Sequence, residues 1–329
     1  MIITKTPLRI SIGGGGTDLP SYYREFGGFV ISAAINKYVY ISINRNFFPG
    51  YFLKYSETEH APCREDIKHK LIREALLKYD IDEPLEIVSV ADVPGGTGLG
   101  SSGTFLVGLV HALRAHGRHR DDAETLAQGA VDIEMVRLKE PVGKQDQYIA
   151  AYGGLLCQQY NQDDTVTVST LNMTDTAVHE LRDSLMLFFV GNTRSASSIL
   201  EDQKKKSEER DQKMLDGLHF VKQLGHEIQS VLEAGDIVQF GKLMHEHWLR
   251  KRGRSNGMTN NRIDELYELA RTAGGATGGK LVGAGGSGFL LFHTQDRKRL
   301  RETMCGAGLS EMDFSFDFDG SVVMIRNRG

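Results

Sequence analysis

The chain has 329 residues, 40% of them hydrophobic and 25% charged, an ordinary globular composition whose length suggests two domains. A formal net charge of −4 gives no sign of a nucleic-acid partner. The three scattered cysteines (Cys63, Cys157, Cys305) lack any C-x-x-C pair, which argues against a disulfide framework or zinc knuckle and suits a reducing, cytoplasmic compartment. No apolar run approaches the ~18 residues of a membrane span. The start has no basic flank followed by a long apolar core, so no signal peptide is expected. The informative excess is glycine, 37 residues gathered in clusters.

Residues 1–12 read as a strand interrupted by Pro7, running into Gly13-Gly14-Gly15-Gly16-Thr17-Asp18-Leu19-Pro20. Four successive glycines suit a backbone that passes close to a ligand; the alternative is a flexible turn. Arg9, just before them, supplies a permanent planar cation with several donors. Asp18, at the end of the turn, is either an acceptor for sugar hydroxyls or a cap on the next segment. Residues 29–33 and 38–43 look like two strands joined by a turn at Asn36-Lys37, with another strand near 52–56. Residues 66–79 are helical by pattern, with Ile67, Leu71 and Ala75 on one face.

A strand-like run at 85–90 then leads to Pro94-Gly95-Gly96-Thr97-Gly98-Leu99-Gly100-Ser101-Ser102-Gly103-Thr104, which opens a helix-like run at 105–113. A glycine-rich turn opening a helix offers free N–H groups and the positive end of the helix dipole to an anion. The text from Gly98 to Gly103 fits the dinucleotide pattern G-x-G-x-x-G. That pattern needs a second strand ending in an acidic residue; here a polar turn (116–120) and a second helix (121–139) follow instead. A Walker loop needs lysine directly after its last glycine, and Thr104 stands there. The remaining reading is a phosphate cradle whose cation comes from elsewhere in the chain.

The helix at 121–139 carries Glu134 and ends at Glu140-Pro141. The segment from Val142 to Tyr148 follows, and its Lys144, Gln145, Asp146 and Gln147 either line a pocket or form a solvated loop. Residues 154–160 and 165–169 read as a hairpin. A threonine-rich segment at 170–184 marks the domain boundary, with expected domains 1–175 and 176–329. The strand at 185–190 ends at a second donor-rich helix start, where Arg194 could hold an anion; an ordinary Ser/Thr cap is the alternative. Residues 199–253 are mostly helical, and Lys204–Lys206 form a solvated face. His245 and His247 are two apart and do not share a helix face, which argues against a metal pair. The cluster from Leu249 to Arg254, including Arg252, meets either a phosphorylated substrate or solvent. A helix at 263–273 precedes strand, glycine turn and strand over 280–292. A helix at 297–306 and a hairpin around Asp319-Gly320 close the chain.

Three glycine motifs in this order are far more specific than any one. P-L-R-I-S-I-G-G-G-G-T-D near the start, P-G-G-T-G-L-G-S-S from Pro94, and K-L-V-G-A-G-G-S-G-F from Lys280 together resemble the GHMP kinases. The first motif departs from the galactokinase text Ile-Gly-Glu-His-Thr-Asp. With V-G-K-Q-D-Q-Y it looks like the D-glycero-D-manno-heptose 7-phosphate kinases, which phosphorylate the C1 hydroxyl on the way to nucleotide-activated heptose.

The resemblance implies an α+β fold: an N-terminal domain like the second domain of ribosomal protein S5, a ferredoxin-like C-terminal domain, and a ligand cleft between them. It implies ATP and Mg²⁺ as cofactors and a small sugar phosphate as the partner, with no nucleic acid or membrane and no indication of oligomeric state. Pro94, Gly95, Gly96, Thr97, Gly98, Leu99, Gly100, Ser101 and Ser102 would cradle the ATP phosphates. Ser102 and Glu134 would hold Mg²⁺, Asp146 would be the catalytic aspartate, and Arg9 would offset charge on the transferring phosphoryl. Gly15, Gly16, Thr17, Asp18, Lys144, Gln145, Gly285, Gly286 and Ser287 would face the substrate, with Arg194 and Arg252 as candidates for its distal phosphate. The alternatives are another sugar-1-kinase, fucokinase- or galactokinase-like, which has no need of distal cations, and a non-catalytic protein of the same fold. The presence of Arg9, Ser102, Glu134 and Asp146 argues against the latter.

Overall fold

The structure, a computed structural model, describes residues 1–191, 197–253, 258–283 and 285–327. Its first half is a mixed sheet carrying helices. The strands are β1 (Ile2–Gly13), β2 (Gly28–Arg45), β3 (Tyr51–Lys54), β4 (Thr58–Ala61), β5 (Leu85–Ala91), β6 (Leu155–Tyr160) and β7 (Val166–Thr170). The helices are α1 (Pro20–Phe26), α2 (Lys70–Lys78), α3 (Ser101–His116), α4 (Ala123–Val131) and α5 (Gln145–Tyr152). The second half contains α6 (Asp175–Ser184), β8 (Leu185–Phe189), α7 (Ser197–Glu208), α8 (Gln212–Glu233), α9 (Ile237–Lys251) and α10 (Asn261–Thr272). It ends with β9 (Ala276–Leu281), β10 (Phe289–Thr294), α11 (Arg297–Gly306), β11 (Ser310–Met312) and β12 (Val322–Arg326).

β1 and β2 form the long antiparallel spine of the first sheet, with Ile2 opposite Ile43 and Ser11 opposite Ser32. Pro7 does not end β1. The register shifts between Pro7 and Leu8, so the missing N–H falls at an irregularity instead of breaking the ladder. β2 is likewise one strand where two were expected. The turn expected at Asn36-Lys37 is instead a bulge within the strand: Pro7 stands opposite Tyr38 and Leu8 opposite Ile35, while Asn36 N–H donates to the Ser315 carbonyl and Ser315 N–H donates to Asn36 Oδ1. Beyond β2 the strands run β5, β3, β4, while β6 and β7 pair in turn along the Gly28–Ala33 end.

α3 lies almost wholly buried against β1. A Cβ on Gly108 would stand 2.9 Å from Thr6 Oγ1, so only glycine allows this approach. Thr4 Oγ1 donates to the Gly108 carbonyl at 3.0 Å, and Thr104 Oγ1 donates to the Pro7 carbonyl at 3.0 Å. These contacts set the start of α3, and the loop before it, against the Arg9 end of β1.

The second sheet has the order β11-β8-β10-β9 and is antiparallel throughout. With helices between β8 and β9 and α11 between β10 and β11, this is the ferredoxin-like arrangement. Trp248, Tyr267, Phe188 and Phe292 fill its core. The expected hairpin at Asp319-Gly320 does not form. β11 pairs with β8, whereas β12 crosses back and pairs with β1, Ile2 opposite Arg326. Gly320 N–H is instead tied to Asp317 Oδ1. Among the described residues no helix is long and apolar enough to cross a membrane.

Candidate active site

The glycine loop ends in Gly100, whose φ of 80° is left-handed and which serves as the N-cap of α3 without any side-chain cap. The first N–H groups of α3 are thus left for a ligand. A Cβ on Gly100 would lie 3.1 Å from Arg9 Cγ and 3.2 Å from Asp146 Cγ. The loop therefore passes directly over a pair of charged side chains, and its glycines make that passage possible.

Those side chains form a bidentate ion pair. Arg9 Nε donates to Asp146 Oδ1 at 2.7 Å and Arg9 Nη2 to Asp146 Oδ2 at 3.0 Å, while Arg9 Nη1 donates to the Gly98 carbonyl. Arg9 N–H also donates to the Leu99 carbonyl at 3.0 Å. One arginine, 6% exposed, thereby ties strand β1, the glycine loop and the first turn of α5 together. Gly103 completes the fit, since a Cβ there would stand 2.7 Å from the Asp146 Cβ.

Glu134 stands on the other side of the loop. The helix that carries it widens to a π turn over Asp132–Arg137, a local irregularity frequent at functional sites. Glu134 is 3% exposed; its Oε1 accepts from Ser102 Oγ at 2.6 Å and its Oε2 from Gln147 Nε2 at 2.6 Å. Burial pushes its carboxyl above the ordinary range, although the Ser102 and Gln147 hydrogen bonds oppose the shift. Asp18 is shifted the same way, first by burial and then by the charge of Asp146. Its Oδ1 accepts from Gly16 N–H at 3.2 Å and its Oδ2 from Gln145 N–H at 3.3 Å.

One cavity of about 550 Å³ joins these groups. Arg9, Gly15, Gly16, Asp18, Gly96, Gly98, Gly100, Ser101, Ser102, Glu134, Gln145 and Asp146 all line it, among others. Several expected site residues do not. Thr17 is buried and faces the other way, its hydroxyl donating to the Phe29 carbonyl and accepting from Phe29 N–H. The Lys144 ammonium donates to the Asp164 carbonyl and lies over the Tyr23 ring, and burial lowers its pKa. Leu99 is buried in the core and Thr97 Oγ1 donates to the Pro94 carbonyl. Pro94 and Gly95 are exposed at the outer edge of the loop. Gly285, Gly286 and Ser287 do not line it, although a Cβ on Gly285 would stand 2.9 Å from Met258, which does. Arg252 pairs with Asp264 at 3.7 Å, outside the cavity, and Arg194 lies outside the described residues.

The wall from the second half includes residues that the motif reading passed over. Lys280, Lys251, His247 and Gln203 line the same cavity, as do His69, Leu71 and Leu138 at an apolar part of the wall. Lys280 opens the third glycine motif and Lys251 stands in the basic cluster, but nothing in strand or helix periodicity says that either points inward. His245 points elsewhere, its Nδ1 within 2.8 Å of the Tyr267 hydroxyl.

Comparison with known proteins agrees with this arrangement. The family model for the GHMP kinases N terminal domain matches residues 67–154, and that for GHMP kinases C terminal matches 228–308, together more than half of the chain. The chain is 29% identical to the D-glycero-alpha-D-manno-heptose 7-phosphate kinase of Campylobacter jejuni, over 97% of each chain. It superposes on a D-glycero-D-manno-heptose 1-phosphate kinase from Bacteroides thetaiotaomicron with a TM-score of 0.82, at 24% identity and 100% of both chains. Lactococcus lactis galactokinase complexed with galactose gives a TM-score of 0.79 at 16% identity, over 98% of this chain and 94% of that one. With its two family domains, its lysine-free glycine cradle and the Arg9–Asp146 pair beneath it, the chain belongs to the GHMP kinases, ATP-dependent phosphotransferases of two-domain α+β fold.

Proposed function

We propose that the chain transfers the γ-phosphoryl group of ATP to the C1 hydroxyl of D-glycero-D-manno-heptose 7-phosphate, giving the 1,7-bisphosphate used to make nucleotide-activated heptose. The observation that carries the reading is the single cavity shared by the glycine loop, the Arg9–Asp146 pair and the Ser102–Glu134 pair. The relative that is similar over nearly the whole chain supports the sugar phosphate. Residues 1–175 hold the nucleotide, and residues 176–329 supply the opposite wall.

In this reading the loop N–H groups from Gly96 to Ser102 take the phosphates, and His69, Leu71 and Leu138 offer an apolar face for the base. Ser102 and Glu134 bring two hard oxygen donors together beside those N–H groups, a donor set that suits Mg²⁺. When bound, Mg²⁺ offsets negative charge on the phosphate oxygens. Asp146 receives or orients the proton of the sugar hydroxyl, because its carboxylate faces the cavity and is fixed by both arms of the Arg9 fork. Arg9, held under the loop, places positive charge where charge develops on the transferring phosphoryl. Asp18, Gly15, Gly16 and Gln145 line the sugar side.

A coupled ADP-release assay over sugars and sugar phosphates tests the proposal, with the phosphorylated position read by ³¹P NMR. Heptose 7-phosphate is expected to be turned over with the highest kcat/KM and the new phosphate to appear at C1. Preference for fucose or galactose without a phosphate overturns the reading in favour of a neutral-sugar kinase.

A further inference from the structure

We propose that Gln203 is a specificity-determining residue whose amide oxygen accepts a hydrogen bond from one hydroxyl of the sugar, beside the first glycine turn. The proposal rests on the sugar-phosphate reading above and gives the second half of the chain a part in it.

Gln203 lies on α7, outside all three glycine motifs. It is 2% exposed, yet it lines the cavity. α7 reaches the first half of the chain at two points. Gln203 Nε2 donates to the Gly16 carbonyl at 3.1 Å, and Ser207 Oγ donates to the Ser21 carbonyl at 3.2 Å. The first contact fixes the direction of the amide. A carbonyl oxygen only accepts, so the nitrogen must face Gly16 and Oε1 takes the other arm. Among the described residues nothing donates to that oxygen. A deeply placed amide, held at one end and open at the other, is an acceptor prepared for a ligand.

A chain of hydrogen bonds decides which ligand this is. Gly16 N–H donates to Asp18 Oδ1 at 3.2 Å, Gln145 N–H donates to Asp18 Oδ2 at 3.3 Å, and Asp146 is the next residue. Among the described residues no hydrogen bond joins Gln203 to the loop before α3, which is held by Arg9 instead. Gln203 and Asp18 meet the carbonyl and the amide of the same glycine, and both present accepting oxygens. Phosphate oxygens are acceptors as well and bring no proton to either group, whereas a polyol brings a donor to each. The pair therefore suits the hydroxyls of a sugar whose reacting group lies at Asp146, and not the phosphates of ATP.

The experiment measures kcat/KM for heptose 7-phosphate, and for analogues that each lack one hydroxyl other than the reacting one, on the wild type and on Gln203→Leu. The variant should lose about 10-fold on the parent sugar, mainly through KM for the sugar, with KM for ATP within about 3-fold of the wild type. On the analogue that lacks the partner hydroxyl, wild type and variant should agree within about 3-fold, while the other analogues keep the full loss. A loss of one size on the parent and on every analogue overturns the assignment, because it marks a residue that only holds Gly16 in place. An unchanged parent, or a loss confined to KM for ATP, overturns it too. If Gln203→Leu does not fold, Gln203→Met carries the same comparison. The two readings fail separately. A wild type that prefers the unphosphorylated sugar overturns the sugar-phosphate reading, and the same comparison made on deoxy analogues of that sugar still decides the role of Gln203.

Discussion

Gly98 and Gly283 meet backbone to backbone across the cleft: a Cβ on Gly283 would fall 2.6 Å from the Gly98 Cα, and one on Gly98 would fall 2.5 Å from the Val282 carbonyl oxygen. The second and third glycine motifs, far apart in the chain, are thus two sides of one contact. Gly288 repeats it, with a Cβ only 2.1 Å from the Thr97 carbonyl oxygen. The glycine loop before α3 is shaped from both halves of the protein.

Gly283 also has a φ of 80°, so alanine there is strained as well as crowded. Gly283→Ala is expected to destabilise the fold by at least ~1 kcal/mol. It should also displace the loop and lower kcat/KM for ATP by about 10²-fold. Thermal melts and ATP titrations check both; a variant with normal melting and normal ATP kinetics shows that the contact does not shape the loop.

Asp146 touches both arms of the Arg9 fork and opens on the cavity. Asp146→Asn keeps the size of the side chain and removes its capacity to take a proton. Turnover is expected to fall about 10²- to 10⁴-fold, with nucleotide binding, read by calorimetry, largely retained. Near-normal turnover removes Asp146 from the chemistry.

Glu134 yields a pH prediction. Burial raises its folded-state pKa above the ordinary 4.5, so the folded protein binds this proton more tightly than the unfolded chain. The resulting stabilisation is full below the ordinary value and is lost as pH rises through the raised one. Urea denaturation across that window should show a shallower decline for Glu134→Gln than for the wild type. The same variant should need about 10-fold or more Mg²⁺ for half-maximal turnover, because one oxygen donor of the pair has lost its charge.

Two buried histidines act in the opposite direction. Burial lowers His111 and His293 from 6.5 to about 4, so the folded state holds them neutral. Their contribution to stability is present above about pH 6.5 and is lost as pH falls toward 4. The midpoint of urea unfolding is expected to drop through that range. His293→Gln should reduce the slope, and a further His111→Gln should reduce it again; an unchanged slope in the double variant refutes the assignment.

The three glycine motifs, their order and the absence of lysine from the loop are legible in the text because they are properties of the residues themselves. Glycine adopts the left-handed φ of Gly98 and Gly100 without strain, and a helix start needs no distant partner to expose its N–H groups. Strand and helix periodicity likewise marks most elements, but not α6, whose Asp175–Ser184 lies in the segment expected as a domain boundary and is capped locally by Thr174. At Asn36 the sequence indicates a turn because the residue that meets it, Ser315, lies far along the chain. The hairpin expected at Asp319-Gly320 gave way to β12 pairing with β1.

What the tertiary structure alone decided is which charges meet. Arg9 and Asp146 are 137 residues apart, and the family resemblance, not spacing, linked them beforehand. Periodicity places neither the π turn that turns Glu134 toward Ser102 nor the inward course of Lys280, while Thr17, Lys144 and Arg252 carry suitable groups that face elsewhere. A backbone torsion is a local property written in one residue. The direction of a charged side chain depends on the packing and partners of segments far along the chain, so composition supplied the candidates and the fold selected among them.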